Sequence, residues 1–371
     1  MSATTLESMT SSLALADMTT LRVGGPARTV VDTHSEREFI DALTQADAAG
    51  ESLLVLGGGS NVLASGDPFP GTVVRDRREQ ITVQDDGACG GASVTVSAGT
   101  PWDTVVERAV AEGWVGIEAL SGIPGSTGAT PVQNVGAYGA ELADVVATVR
   151  VWDRECQRVR TLARVDCEFG YRDSLLKRSM RAEARTTAWH PSPRYIVLDV
   201  TMQMRWGTLS APVAYGQLAQ ALGVDIGERA PLAQVRAAVL ELRRSKGMVL
   251  DSADHDTWSA GSFFTNPILT AEGAAALPED APRFPVGEPV REGAVKTSAA
   301  WLIEHAGFAK GFAVSADAGA AVSSKHTLAL TNRGDATAEE LVALARHLRD
   351  GVRKAFGVTL VPEPVLVGLE L

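Results

Sequence analysis

The chain has 371 residues, 45% of them apolar and 21% charged, the make-up of an ordinary globular protein with two or three cores rather than one. Its net charge of −11 argues against nucleic acid or an anionic membrane as a partner, since both need a basic face. An anionic small ligand stays open, because a local cluster of Arg and Lys can outweigh the global sign.

The cysteines are Cys89, Cys156 and Cys167, an odd number without a C-x-x-C pair, so neither a disulfide framework nor a zinc site is predicted. The histidines His34, His190, His255, His305, His326 and His347 are scattered without ligand spacing, and no metal is expected. Met1 to Met18 carries Glu7 and Asp17 and lacks the basic start and apolar run of a signal peptide. No stretch approaches the roughly 20 apolar residues of a membrane span. The expected compartment is the cytoplasm, and residues 1–15 read as a loose end.

In chain order, the alternating, Val-rich Ala27–Thr33 predicts a strand. Ser35-x-x-Glu38 is a capping box for a helix with Phe39, Ile40 and Leu43 on one face, ending at Gly50. A buried strand, Leu53–Leu56, then runs into Gly57-Gly58-Gly59, completing a β-α-β unit, and Gly71–Val74 adds a strand. Ile81–Val83 and Ser93–Ala98 are short strands joined by a Gly-rich turn, Gly87–Gly91. Thr100-Pro101 is a cap with Pro at the first helical position, and its helix ends at Gly113. Ile117–Gly139 fits neither period. Strands resume at Val145–Trp152, Val159–Leu162 and Tyr195–Met204. Pro231–Lys246 is helical, with Leu232, Val235, Val239 and Leu242 on one face, and residues 248–295 are loop-rich. Helices follow at Ser298–His305 and Thr337–Ala355, the latter opened by the capping box Thr337-x-x-Glu340 and closed by Gly357. A last strand covers Val358–Leu369.

Five stretches have a composition that packing alone does not explain. Gly57-Gly58-Gly59 either leaves backbone N–H groups free to approach an anion closely or is a tight turn that ends the strand. It is neither a P-loop, since no Lys follows, nor a Rossmann fingerprint, since Val62 stands where a third glycine would be. Gly122–Gly139 offers many backbone donors beside Ser126, Thr127, Gln133 and Asn134, as a ligand-lining loop does, unless it is a long Ω-loop closed on itself. In Phe169-Gly-Tyr-Arg-Asp-Ser174, Arg172 can present a fork to a carboxylate, or serve a surface ion pair. In Ala260-Gly-Ser-Phe-Phe-Thr-Asn-Pro267, small residues leave the Ser262 hydroxyl uncrowded, and the two Phe residues are expected to wall an apolar pocket. No G-x-S-x-G elbow is present, so a hydrolase triad is unsupported. Val361-Pro-Glu-Pro-Val365 aims Glu363 stiffly among apolar residues, where burial would favour the protonated acid, unless the segment is a solvated edge.

Taken in order, these stretches, with Thr20-Leu-Arg-Val-Gly-Gly25, resemble the UDP-N-acetylenolpyruvoylglucosamine reductase family over residues 19–363. The resemblance implies an α+β protein of three domains: residues 1–77 with 357–371, residues 78–230, and a substrate-binding domain, 231–356. The first two would form a flavin-binding fold of the vanillyl-alcohol-oxidase (PCMH) type. It implies FAD as cofactor and NADPH as reductant, with hydride passing from the reduced flavin to the enolpyruvyl methylene of UDP-N-acetylglucosamine enolpyruvate.

The residues implied to hold FAD are Leu56, Gly57, Gly58, Gly59, Ser60 and Asn61 on the first loop. On the second they are Ile123, Pro124, Gly125, Ser126, Gly128, Gln133, Asn134, Gly136, Ala137 and Tyr138. Arg172 and Glu363 match the residues that stabilise the enolate, and Ser262 matches the general acid that protonates it. Tyr171, Tyr215, Lys246 and Asn266 match substrate contacts, Tyr215 marking the subgroup with a Tyr-bearing loop. Some relatives carry an Arg where this chain has Val365. A small-molecule substrate, no nucleic-acid or membrane partner, and a monomer are expected. The alternatives are an FAD oxidase of the same fold and a non-catalytic flavin binder. A covalent flavin link within the loops would need a cysteine, because no His lies between His34 and His190.

Overall fold

The computed structural model describes residues 13–85, 90–181, 189–286 and 293–371. Cys89, most of the expected Gly87–Gly91 turn, and residues 1–12 of the expected loose end lie outside them.

The fold is α+β. Three parallel strands open it, Ala27–Thr33, Leu53–Val55 and Phe69–Asp76, and the last of them lies in the middle. The β-α-β unit therefore leaves a gap that the next strand fills. Helix Glu36–Ala48 covers this sheet. The Ser35 hydroxyl accepts from the Glu38 N–H at 3.2 Å, while the Glu38 carboxylate takes the His34 N–H at 2.8 Å, one residue earlier than a standard box. Phe39 and Leu43 pack with Leu53 and Val74, and also with Trp152, Ile196 and Leu198 of the second sheet, which fixes the two sheets to each other.

The second sheet is antiparallel, in the order Arg158–Ala163, Val146–Asp153, Tyr195–Trp206, Ala92–Ser97, Ile81–Asp85. Its central strand starts with six consecutive buried residues, Tyr195 to Val200, because helices and loops cover both faces. Helix Trp102–Glu112 packs on it through Trp102, Val105, Val106 and Ala109 and ends at Gly113, φ 78°. Pro101 is the N-cap of this helix, not its first residue. The Trp102 N–H is met instead by Gly125 O at 3.0 Å, and the Thr100 hydroxyl pairs with Ser97.

The third body is a sheet of Ser259–Ser262, Ala329–Asn332 and Ala320–Val322, covered by helices Ala299–His305 and Ala338–Phe356. The expected capping box is present: Thr337 Oγ1 accepts from the Glu340 N–H at 3.1 Å and Glu340 returns the bond at 2.8 Å. Phe263 and Phe264 are buried in this core with Leu302, Leu341 and Leu348, so they do not wall a pocket as expected. Truncating either would cost about 3–5 kcal/mol. Leu21, Val23, Leu63 and Leu360 enter the same core, bringing the N-terminal segment into it.

The long terminal strand is not formed. Only Val365–Val367 is in a ladder, parallel to Val62–Ala64. Pro362 and Pro364 carry no N–H to donate, so the preceding stretch makes one isolated bridge, Phe264 to Pro362.

Candidate active site

Two loops close on each other to make the floor of a cleft. A Cβ on Gly58 would lie 2.7 Å from the Cα of Gly125, and Ser60 Oγ donates to Pro124 O at 2.9 Å. Gly59 has φ 62°, and a Cβ there would lie 2.0 Å from Met18 O. The contact thus requires residues without side chains, and what remains facing the cleft is backbone. The cleft has a volume of about 320 Å³, in the range of small-molecule sites. Leu56 to Asn61, Ile123 to Ser126, Gly128, Gln133, Gly136, Arg172, Ser262 and Glu363 all line it. A wall of glycines and backbone donors beside apolar Leu54, Ile123 and Ile196 fits a dinucleotide with a pyrophosphate and a flat ring, so the residues present suit FAD.

Arg172 sits in a tight turn closed by reciprocal bonds between Gly170 and Asp173, with φ 53°. A guanidinium Nη2 donates to Gly136 O at 2.6 Å, and Nε lies 3.1 Å from Glu363 Oε1. Gln133 Nε2 donates to the same carboxylate oxygen at 2.9 Å. Glu363 is therefore paired and lines the cleft, neither an isolated buried acid nor a solvated edge residue. Asn61 holds it there: its side-chain Nδ2 donates to Glu363 O at 3.4 Å and its backbone carbonyl accepts from the Val365 N–H at 2.9 Å.

Ser262 reaches the cleft by a bulge. Ser259 pairs with Thr331 and Ser262 with Ala329, leaving an extra residue on the first strand, and Gly261 takes φ 72°. A bulge of this kind re-aims the next side chain. Phe263 and Phe264 anchor the strand below it. The Ser262 hydroxyl makes no hydrogen bond to the described residues, so its proton is uncommitted.

Arg243 stands at one side of the cleft, and Lys246 feels its charge and that of Lys310. Arg243 lines the cleft and is held by the carbonyls of Gly122 (3.1 Å) and Met248 (2.8 Å). Burial, followed by the charges of Arg243 and Lys310, holds the Lys246 ammonium below its usual pKa. Burial, with Lys246 and Lys310, pushes His326 down to about 4. The Lys246 ammonium, kept near other cations, suits an anionic ligand.

Some expected residues stand elsewhere. Asn134 does not line the cleft: its amide is spent on Glu141, Gly170 O and the Ala143 N–H. Ala137 packs on the second core. Tyr138 faces Tyr215 edge-on, ring centres 5.5 Å apart, beside a separate cavity. Lys246 lies 5.6 Å from the Tyr138 ring and donates to Gln217 at 2.7 Å. Tyr215 is exposed at the start of helix Gly216–Leu222. The Tyr171 hydroxyl accepts from the Asn266 N–H at 3.3 Å, and Asn266 Oδ1 caps the Ala299 N–H at 2.9 Å, so the Asn266 carbonyl is occupied. The sequence reading did not single out Lys177 or Arg243. Lys177 could have been found as the third residue after Ser174, whose hydroxyl caps helix Leu175–Arg178. Arg243 reads as an ordinary basic residue near a helix end, and nothing local announces the distant carbonyls it meets.

Residues 27–162 match the FAD binding domain model, and residues 252–367 match the model for the UDP-N-acetylenolpyruvoylglucosamine reductase C-terminal domain. With the glycine-floored cleft, the first match defines an FAD-dependent oxidoreductase. The chain is 51% identical to UDP-N-acetylenolpyruvoylglucosamine reductase of Cutibacterium acnes, covering 95% of this chain and 89% of that one. It is 48% identical to the protein of the same name from Thermobifida fusca, covering 98% and 100%. The chain belongs to the UDP-N-acetylenolpyruvoylglucosamine reductase family. Its fold matches the solved reductase of Thermus caldophilus with a TM-score of 0.63 at 23% identity, over 96% of this chain and 97% of that one. Among the described residues no helix is long and apolar enough to cross a membrane.

Proposed function

We propose that the chain reduces UDP-N-acetylglucosamine enolpyruvate to UDP-N-acetylmuramate, a precursor of peptidoglycan. The carrying observation is convergence: Arg172, Ser262 and Glu363, from three distant segments, line one cleft with the two glycine loops. When bound, FAD reduced by NADPH supplies the hydride that adds to the enolpyruvyl methylene. The chain's own residues do the rest.

Addition of hydride leaves an enolate conjugated with the substrate carboxylate, and that charge needs donors already in place. Arg172 is held by Gly136 O and keeps further N–H groups for the carboxylate. Glu363 balances the guanidinium charge and, when it carries a proton, adds a donor to the enolate. Ser262, with its free hydroxyl, is the general acid that places a proton on the enolate carbon. Lys246, beside Arg243 and Lys310, meets the diphosphate, and Tyr215 covers the uridine side. Tyr171 and Asn266 bound the enolpyruvyl end. The residues Leu56–Asn61 and Ile123–Gly136 hold FAD, with Asn134 acting through the backbone it braces.

The domain limits we propose are 1–77 with 357–371, 78–230 and 231–356. A cytoplasmic monomer that binds no nucleic acid fits the acidic charge. The test is an anaerobic pair of half-reactions on the purified holoprotein. NADPH bleaches the flavin absorbance, and the enolpyruvyl sugar nucleotide restores it. If the sugar nucleotide does not restore the absorbance, the proposal is wrong.

A further inference from the structure

Lys177 sits behind the Arg172–Glu363 pair, on the short helix Leu175–Arg178. Its ammonium donates to Gln133 Oε1 at 2.9 Å and to Arg172 O at 3.0 Å. Among the described residues no carboxylate lies within ion-pair distance of it, so direct charge pairing does not explain its half-buried place here.

We propose that Lys177 is a positioning residue that fixes which face of the Gln133 amide meets Glu363. The proposal rests on the reading of Arg172 and Glu363 given above. A side-chain amide carries an acceptor and a donor of nearly equal shape, and a half-turn exchanges them. An ammonium has donors only, so it can bond the amide through oxygen alone. With Oε1 held by Lys177, Nε2 must point the other way, and there it meets Glu363 Oε1 at 2.9 Å. Without the ammonium, a half-turn would set an amide oxygen against a carboxylate oxygen, two acceptors with no hydrogen between them.

The same ammonium holds the Arg172 carbonyl. Arg172 has φ 53°, a left-handed conformation that a non-glycine residue adopts only under constraint. A bond to its carbonyl helps keep the turn that aims the guanidinium. Ser174 completes the cage. Its hydroxyl accepts from the Lys177 N–H at 3.0 Å and donates to Val132 O at 2.7 Å, next to Gln133 in sequence. Backbone and side chain of Lys177 are thus both tied to the segment that carries Gln133. Burial holds the ammonium below its usual pKa, while Glu363 and Asp173 oppose that shift, so Lys177 shares the electrostatics of the pair it positions.

The test uses the FAD-loaded protein and five variants: Lys177→Met, Gln133→Met, the two together, Gln133→Glu, and Lys177→Cys. Reoxidation by the wild type tests the reaction itself, so a failure there is distinct from a failure of this inference. Lys177→Met is expected to slow the reoxidation step about 10- to 100-fold, the scale for losing a hydrogen bond to a charged group, with flavin bleaching by NADPH within about threefold. The loss should fall on the rate constant at saturating substrate rather than on KM. The double variant should be no slower than the slower single variant by more than about threefold, because both changes break one chain of contacts. Gln133→Glu keeps an acceptor for Lys177 but has no donor for Glu363, and it should lose reoxidation even with Lys177 present. This variant carries the test if Lys177→Met does not retain FAD. Lys177→Cys alkylated with 2-bromoethylamine restores the ammonium and should recover most of the rate, with identically treated wild type as control. Unchanged reoxidation in Lys177→Met or Gln133→Glu, or effects that multiply in the double variant, would overturn the proposal.

Discussion

Ser262→Ala removes one oxygen, and the structure separates its catalytic effect from any effect on folding. The hydroxyl makes no hydrogen bond to the described residues, and the strand is anchored by Phe263 and Phe264, not by Ser262. The change in stability should therefore stay within about 0.5 kcal/mol, as for substitutions away from buried contacts. The chemical cost is larger. A positioned general acid contributes about 10²- to 10⁴-fold, which is roughly 2.7–5.4 kcal/mol of barrier. Stopped-flow traces of the flavin absorbance should show NADPH bleaching nearly unchanged and reoxidation slowed by that factor. Denaturant unfolding of the same samples should show no shift in midpoint. Ser262→Cys keeps a dissociable proton and should lose less. Equal loss in both half-reactions, or reoxidation within threefold of wild type, would refute the role given to Ser262.

Gly59→Ala would place a Cβ 2.0 Å from Met18 O at φ 62°; the loop must shift, and the flavin-to-protein ratio after purification should fall, whereas an unchanged ratio would show that the loop does not hold FAD. Thr337→Ala should lower stability by about 1 kcal/mol through loss of the helix cap, with activity intact, read from urea midpoints. His326 is held neutral by burial, with Lys246 and Lys310 adding to the effect, and its pKa falls from 6.5 to about 4. The unfolded chain then binds the proton that the folded one refuses, so the wild type should lose stability as pH falls from 6.5 to 4. His326→Gln should lose less over that window, and parallel pH profiles for the two proteins would exclude this linkage.

Local grammar was readable where the chemistry is local. The Thr337–Glu340 box, the stops at Gly113 and Gly357, and the limits of Ala27–Thr33 follow from residues within a few positions of each other. The glycine loop and the long irregular segment were legible as backbone-rich surfaces for the same reason. Contacts between distant segments were not. Nothing near Lys177 indicates that Gln133 lies 44 positions earlier and within 2.9 Å. Phe263 and Phe264 look equally able to wall a pocket or fill a core, and only helix Ala338–Phe356 packing above them decides it. The strands Ala320–Val322 and Ala329–Asn332 are too short to show a period of two. Val358–Leu369 has strand composition, but two prolines withhold the donors a ladder needs.

The pairing of Val62–Ala64 with Val365–Val367 bears on how the protein can be divided. These two strands form a sheet of their own, and Asn61 is bonded to Glu363 across 302 positions of chain. The segment that matches a flavin-binding model, 27–162, is therefore not a detachable module. Excised, it would leave Val62–Ala64 as an unpaired, apolar edge, open to pairing with other chains. During synthesis the first glycine loop emerges early, whereas the Glu363 segment to which Asn61 is bonded comes last. A fragment stopping short of Glu363 would lack both the carboxylate that lines the cleft and the strand that pairs with Val62–Ala64.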